Sequence, residues 1–186
     1  LFIEINRGND NPAPIAGVPF DGGGGVPEDM QKIISADLER SGFFKPIPTR
    51  DMLSLPSQAS EVVYRDWRML GANFLLIGRV MPEATHFSAQ YQLFDVLSQR
   101  VILASKVRVG ANGVRDMAHA ISDAVYEKIT GIRGIFSTKM LYVQDTKRPG
   151  RARYRLMYSD VDGAREQALL KSSEPILSPT WSYDGK

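Results

Sequence analysis

Residues 73–81 read NFLLIGRVM, and this segment decides the fold of the first part of the chain. Its uninterrupted apolar run, Phe74–Ile77, is typical of a buried strand. Two further segments with the composition of strands follow at 85–96 and 100–109, joined by the short polar turn Leu97-Ser98-Gln99. We therefore expect three consecutive strands that pair as an antiparallel meander.

A first helix is predicted before this meander, over residues 27–41. Pro27 suits the first helical position, and Glu28 and Asp29 complement the positive end of the helix dipole. Apolar residues then recur at helical spacing until Gly42, which is expected to end the helix.

A second helix is predicted from about Glu61 to Leu70. Ser60 is its expected N-cap, and Gly71 is expected to end it. Its buried face is predicted to consist of Val63, Trp67 and Leu70.

A third helix is predicted after the meander, with Asn112 as its N-cap and Gly131 at its end. Its apolar residues recur every three or four positions, as on the buried face of an amphipathic helix. They are Val114, Met117, Ala118, Ile121, Val125 and Ile129.

Three short strands complete this part of the chain: Leu1–Ile5, Ile15–Phe20 and Phe43–Ile47. Pro19 limits how central the second of them can be, because proline has no N–H to donate to a neighbouring strand. The element order β-β-α-β-α-β-β-β-α predicts an α/β fold, a mixed sheet with flanking helices.

The sequence pattern changes after Gly134, because helical periodicity disappears and short strands separated by turn residues take over. We place a domain boundary at 131–134, which divides the chain into domains 1–131 and 135–186. The predicted strands of the second domain are Lys139–Asp145, Tyr154–Asp160 and one near Glu166–Leu170, with a further strand beginning in Ile176–Lys186. Asp162-Gly163 is a strong hairpin turn between the second and third of them. This rhythm is typical of β-propeller blades.

Composition excludes several classes of function. The chain has 186 residues, and 23 Lys and Arg against 21 Asp and Glu leave a formal net charge of +2 that is not gathered into a block, so neither nucleic acid nor a membrane surface is expected as a partner. The absence of cysteine excludes disulfides, thiolate zinc sites and cysteine nucleophiles.

No apolar run approaches the roughly 18 residues that span a bilayer, so no membrane insertion is expected. The chain begins at Leu1 without a leader, as a processed product would.

No catalytic, cofactor or metal site is predicted. The Gly22–Gly25 run lies between a strand and a helix but lacks the Lys and Ser or Thr of a phosphate-binding loop, so we interpret it as a connection. His86 and His119 have no further ligand at metal-binding spacing, which favours surface or structural roles. The pairs Glu28 with Asp29 and Asp160 with Asp162 are better explained by helix-dipole and turn roles than by acid–base chemistry.

Three segments of the second domain resemble one known family. They are Phe136–Val143, Leu156–Gly163 and Ser178–Lys186, and the last is similar to the repeated P-x-W-S-P-D-G-K signature of TolB propellers, with Tyr183 at the position of the usual second Pro. The resemblance implies that the Asp-Gly pair closes a hairpin and that Trp181 packs between blades.

Three segments of the first domain also resemble the TolB family: Pro14–Phe20, Leu38–Phe44 and Phe74–Val80. The resemblance therefore covers both domains. It implies that residues 1–131 form the family's amino-terminal α/β domain. It also implies that residues 135–186 form an all-β part, the first blade and the start of the second blade of an incomplete β-propeller.

The resemblance implies a non-catalytic adaptor of the Tol-Pal system in the periplasm. Such a protein binds TolA through its amino-terminal segment and the lipoprotein Pal through a propeller expected to have six blades, most of which is missing from this sequence. It supports outer-membrane integrity and constriction during cell division, and colicins compete for its Pal-facing surface. A different class of function stays open at this point: a small-ligand-sensing or regulatory α/β domain, attached to a propeller and using a cleft between helices and sheet.

The predicted partner-binding site is the amino-terminal arm. A short, alternating apolar segment at a chain end either forms an ordinary edge strand of its own sheet or pairs with the edge of a partner. The resemblance favours the partner, TolA. The residues of this arm are Leu1, Phe2, Ile3, Glu4, Ile5, Asn6 and Arg7.

Overall fold

The computed structural model describes residues 11–22, 25–26, 29–146 and 153–183. The chain divides into two compact units, Leu1–Gly134 and Ile135–Lys186. The first contains a mixed sheet with helices, and the second is a small antiparallel sheet. The predicted fold class, α/β followed by all-β, is confirmed.

The first unit is built on a five-stranded sheet with the strand order β2-β1-β3-β4-β5. The interior strand β1 pairs in parallel with β2 and β3. The strands β3, β4 and β5 form the predicted antiparallel meander, with a bulge between Leu93 and Phe94. The strands are β1 (Ala13–Gly17), β2 (Phe44–Pro46), β3 (Phe74–Pro82), β4 (His86–Asp95) and β5 (Arg100–Gly110).

Strand β1 ends earlier than the predicted Phe20. The regular pairing of β1 with β3 ends at Gly17 and Leu76, two residues before Pro19. The chain nevertheless follows β3 further, because the N–H of Val18 donates to the carbonyl of Leu76 at 2.9 Å and that of Asp21 to the carbonyl of Gly78 at 3.0 Å. The predicted strand Leu1–Ile5 lies outside the described residues.

Helix α1 spans Met30–Arg40 and is shorter than the predicted 27–41. It starts later because Asp29 is the N-cap: its side chain accepts a hydrogen bond from the N–H of Lys32 at 3.2 Å. The helix-dipole role expected for Asp29 is thereby confirmed, whereas Pro27 and Glu28 lie outside the described residues.

Helix α2 spans Tyr64–Met69, and the predicted start at Glu61 and cap at Ser60 are wrong. A separate 3₁₀ turn, Ala59–Glu61, precedes it, with Gln58 and Glu61 forming a capping box. Turn and helix are thus two elements. Trp67 is buried as predicted, but Val63 caps the helix and is 48% exposed, so its predicted burial is wrong.

Helix α3 spans Val114–Thr130. Its N-cap is Gly113, which has no side chain to cap with, and the prediction of Asn112 as the cap is wrong. Its end is as predicted, because Gly131 adopts the left-handed conformation with φ of 73°. The predicted apolar stripe is buried except for Ile129, which is half-buried.

The two faces of the sheet carry different cores. Side chains alternate along β3, so Leu75 and Ile77 lie on one face and Leu76 lies on the other. Leu76 packs against Ile34 and Leu38 of α1, and α1 packs on α3. The opposite face carries the α2 cluster: Ala16, Val18, Trp67, Ala72, Leu75, Ile77, Phe94 and Val96. No helix in the described part of the chain is both long and apolar enough to cross a membrane.

The second unit is a three-stranded antiparallel sheet in the order β6-β7-β8, made of β6 (Lys139–Asp145), β7 (Tyr154–Asp160) and β8 (Gln167–Ser172). The predicted turn is confirmed, because Gly163 has φ of 84° and the Asp162 carboxylate accepts a hydrogen bond from the N–H of Ala164 at 3.0 Å. The strand predicted from Ile176 is wrong for 176–183, since these residues pair with no other described strand. Residues 184–186 lie outside the described part.

Candidate functional site

The predicted arm, Leu1–Arg7, lies outside the described residues, but its attachment to the fold is described. The chain enters β1 at Ala13, whose N–H donates to the carbonyl of Phe43 at 2.8 Å. The N–H of Asn73 donates to the carbonyl of Pro14 at 2.9 Å from the other side. The arm therefore precedes β1, an interior strand of the sheet that has paired neighbours on both edges.

Aromatic packing surrounds this end of the sheet. The ring of Tyr126 on α3 meets the rings of Phe43 and Phe44 edge to face, at centroid distances of 5.6 and 6.2 Å. Phe44 is buried. Edge-to-face pairs of this kind add to the stabilisation from burial. Aromatic rings therefore pack between α3 and β2 at the end of the sheet where the chain enters β1. We call these three rings the aromatic platform.

A buried polar network joins α1 to α3. The Asp37 carboxylate is fully buried and accepts a hydrogen bond from His119 Nδ1 at 2.7 Å and another from Arg40 at 2.7 Å. His119 itself is 1% exposed. The structural role predicted for His119 is confirmed, and the carboxylate of Asp37 bridges the two helices. The sequence signal for Asp37 was an acidic residue inside the apolar stripe of α1, between Ile34 and Leu38.

A second network fixes the hairpin of the second unit. The buried Asp160 carboxylate binds Lys139 Nζ at 2.6 Å and Arg165 Nε at 2.8 Å. Burial alone would raise the pKa of Asp160, but the hydrogen bonds and charges of Arg165 and Lys139 outweigh it and hold the pKa below its ordinary value. The carboxyl group thus stays ionised in a structural ion-pair cluster, in line with the turn role predicted for Asp160 and Asp162.

Two further sequence features have structural explanations. Gly22 has φ of 76° and lies against the backbone carbonyl of Val80. Glycine is therefore required at this position, where the segment that runs beside β3 turns away from it toward α1. Trp181, from the propeller-like signature, meets the ring of Tyr158 on β7 edge to face at 6.1 Å and stays 43% exposed. Gly23 and Gly24 lie outside the described residues.

Comparison with known families matches both parts of the chain. The family model described as the TolB amino-terminal domain matches residues 1–102, and the one described as the TolB beta propeller domain matches residues 126–186. The chain belongs to the TolB family. The family resemblance predicted from the sequence is thereby confirmed.

Curated relatives carry the name Tol-Pal system protein TolB. The chain is 48% identical to those of Pseudomonas entomophila and Pseudomonas aeruginosa over 99% of its length, and 46% identical to that of Alcanivorax borkumensis over all of it. It spans 43% of the length of each of these relatives. Their names denote a component of the Tol-Pal system and no class of enzyme, which agrees with the prediction of a non-catalytic protein.

A solved structure supports the same assignment. The crystal structure of TolB from Acinetobacter baumannii matches with a TM-score of 0.83 and 34% sequence identity, covering 98% of this chain and 44% of that one. The α/β unit and the antiparallel sheet are therefore the TolB fold.

Proposed function

We propose that this TolB-family chain is a non-catalytic adaptor of the Tol-Pal system, acting in the periplasm. It binds TolA through Leu1–Arg7 and Pal through a β-propeller of which residues 135–186 are only a part, and it supports outer-membrane integrity and constriction during cell division. Colicins compete for the Pal-facing surface. The observation that carries the proposal is the match of both parts of the chain to the TolB family models.

The anchor of the arm supports a binding role. The arm reads LFIEINR, in which apolar residues dominate and alternate in the manner of a strand. It joins the fold through β1, whose two edges are already paired with β2 and β3. A partner bound to the arm would therefore be connected to β1, close to the aromatic platform around Tyr126.

The two buried carboxylates have structural roles. The carboxylates of Asp37 and Asp160 are buried, and each is engaged by two basic side chains within its own unit. Groups held in this way stabilise elements of the fold and are not presented to a substrate. Asp29 caps a helix and Asp162 closes a turn.

Directly beneath α1 the structure leaves no room for a small ligand, and the open space beside this helix, of about 310 Å³, lies between α1 and the segment 46–49. The space between α1 and the sheet, lined by Gly17, Gln31, Ile34 and Leu76 among the described residues, is too small for a water molecule. A thermal-shift panel of metabolites tests this directly, because a ligand that binds the folded state raises the melting temperature. Reproducible stabilisation by one metabolite would favour the sensor.

Affinity capture from an envelope extract tests the adaptor. The intact chain is the bait, a chain without residues 1–7 is the matched bait, and mass spectrometry identifies the captured proteins. We expect TolA with the intact chain and its loss with the shortened chain, whereas any capture of Pal should not depend on residues 1–7. Capture of neither protein by the intact chain contradicts the proposal.

A further inference from the structure

An open groove crosses the sheet face that carries the α2 cluster. We call it the outer groove, and its volume is about 630 Å³. The turn Ser57–Ser60 forms one wall, and strands β3, β4 and β5 form the floor. This volume lies in the range of roughly 300–1,000 Å³ that is typical of small-molecule and cofactor sites, so the groove is large enough to hold part of a ligand.

The floor presents a row of three polar side chains. Arg79 on β3 is directly opposite Gln90 on β4, and Gln90 is directly opposite Lys106 on β5. Residues paired in this way lie on the same face of a sheet. The adjacent row across the same strands is Ile77, Gln92 and Ala104. The groove therefore has two cationic groups with amides between them and beside them.

Two cations lie in the row, and the backbone of Asp21 pairs with Arg79 on the side away from Gln90. Neither Arg79 nor Lys106 forms an ion pair with a described carboxylate, and no acidic residue lines the groove. Arg108, the next residue of β5 on this face, differs because it pairs with Glu83 at 3.4 Å. The row is thus a positive site whose complement is an anionic ligand.

Protection of the sheet edge does not explain the row. Lysine on an edge strand discourages pairing with other chains, which would account for Lys106 on β5. Arg79, however, does not lie on an open edge, because it pairs with Gln90 on one side and with Asp21 in an isolated bridge on the other. A half-buried arginine in the middle of a sheet, aimed into an open groove, calls for a different role.

We propose that the outer groove binds an acidic, extended peptide segment of a partner protein. The amides of Gln90 and Gln92 can both donate to and accept from peptide groups. Neighbouring strands are about 4.8 Å apart, so Arg79 and Lys106 are anchored roughly 10 Å apart. Acidic side chains two residues apart in an extended peptide are separated by about 7 Å, a difference that flexible Arg and Lys side chains cover. The groove is separate from the arm, so the proposal does not depend on TolA binding.

Fluorescence anisotropy with a labelled probe tests the proposal. The probe is a nonapeptide of alternating Glu and Thr, titrated with the whole chain at low ionic strength. We expect the double variant Arg79→Gln/Lys106→Gln to bind roughly three- to tenfold more weakly, as befits the loss of two ion pairs in a groove open to solvent. The matched control is Lys45→Gln, an exposed lysine on the opposite edge strand β2, and it should leave the affinity unchanged.

Two further measurements distinguish the possible outcomes of this experiment. A nonapeptide with Gln in place of Glu should bind more weakly than the acidic probe, and amide shifts in NMR spectra should concentrate in 90–92 and 104–106. Absence of binding at millimolar probe, or equal weakening by Lys45→Gln, overturns the proposal. Tighter, Arg79-dependent binding of a tetragalacturonate overturns the peptide class and makes the groove a site for acidic sugars.

Discussion

Replacement of Asp37 by alanine tests the buried connection between α1 and α3. The change removes a fully buried carboxylate that accepts hydrogen bonds from His119 and Arg40, both at 2.7 Å. His119 Nδ1 then loses the acceptor that holds it in the interface between the two helices. Arg40 differs, because its side chain is 42% exposed and can turn into solvent.

The expected cost follows from these exposures. Loss of one partner of a buried charged hydrogen bond costs about 3–5 kcal/mol when both groups are buried, and less when one of them can reach water. We therefore expect Asp37→Ala to lower the free energy of unfolding of the first unit by about 2–4 kcal/mol. Asp37→Asn keeps the shape and one acceptor and should cost about 1–2 kcal/mol. Arg40→Ala should cost at most about 1 kcal/mol.

Urea denaturation followed by tryptophan fluorescence measures these differences. Trp67 is buried in the first unit, and Trp181 lies in the second. All variants are therefore made with Trp181→Phe, so that the signal comes from the first unit alone. A cost of Asp37→Ala within about 0.5 kcal/mol of zero, the usual range for surface changes, refutes the reasoning. So does an Arg40→Ala variant as unstable as Asp37→Ala.

The remaining predictions concern the second unit and the sheet. Asp160→Asn removes the carboxylate that binds Lys139 and Arg165, and since both cations are about one-third exposed we expect a cost of about 1–2 kcal/mol at neutral pH. Because folding lowers the pKa of this carboxyl group, its stabilisation is present above the unfolded pKa of about 4 and is lost as the pH falls through the lower folded value. Hydrogen exchange in 154–172 from pH 7 to pH 3 should show a difference from wild type that shrinks in acid, and a constant difference would contradict the ion-pair account. Gly78→Ala places a methyl group 2.7 Å from a backbone carbonyl oxygen of β4 and against an aromatic ring, so we expect a loss of about 1–3 kcal/mol by thermal unfolding. Gly110→Ala, which meets nothing within 4 Å, is the control, and equal losses in the two variants would refute the packing argument.

Much of the fold was predictable because its signals are local. The meander follows from alternating apolar segments and a short polar turn, and the end of α3 follows from Gly131 in a left-handed conformation. Helix starts were harder. Ser60 and Asn112 look like caps in sequence, but Ser60 lies inside a separate 3₁₀ turn and the backbone of Gly113 takes the cap position of α3.

Elements that depend on distant partners were the least predictable. The segment from Ile176 has the composition of a strand, yet a strand also needs a neighbour, which the described residues do not provide. The outer groove was missed for a related reason. Arg79, Gln90 and Lys106 are far apart in sequence, and only the register of β3, β4 and β5 makes them neighbours. The arm, in contrast, is a contiguous pattern and could be proposed from sequence alone.

The central claim is that residues 1–7 are the TolA-binding element of this TolB-family chain. Isothermal titration of TolA with the intact chain, repeated in the presence of the free heptapeptide LFIEINR, tests it most directly. The account predicts that the peptide alone binds TolA and that an excess of it abolishes binding of the chain. A chain that binds TolA with unchanged affinity in saturating peptide would contradict the account, because the contact would then lie elsewhere on the molecule.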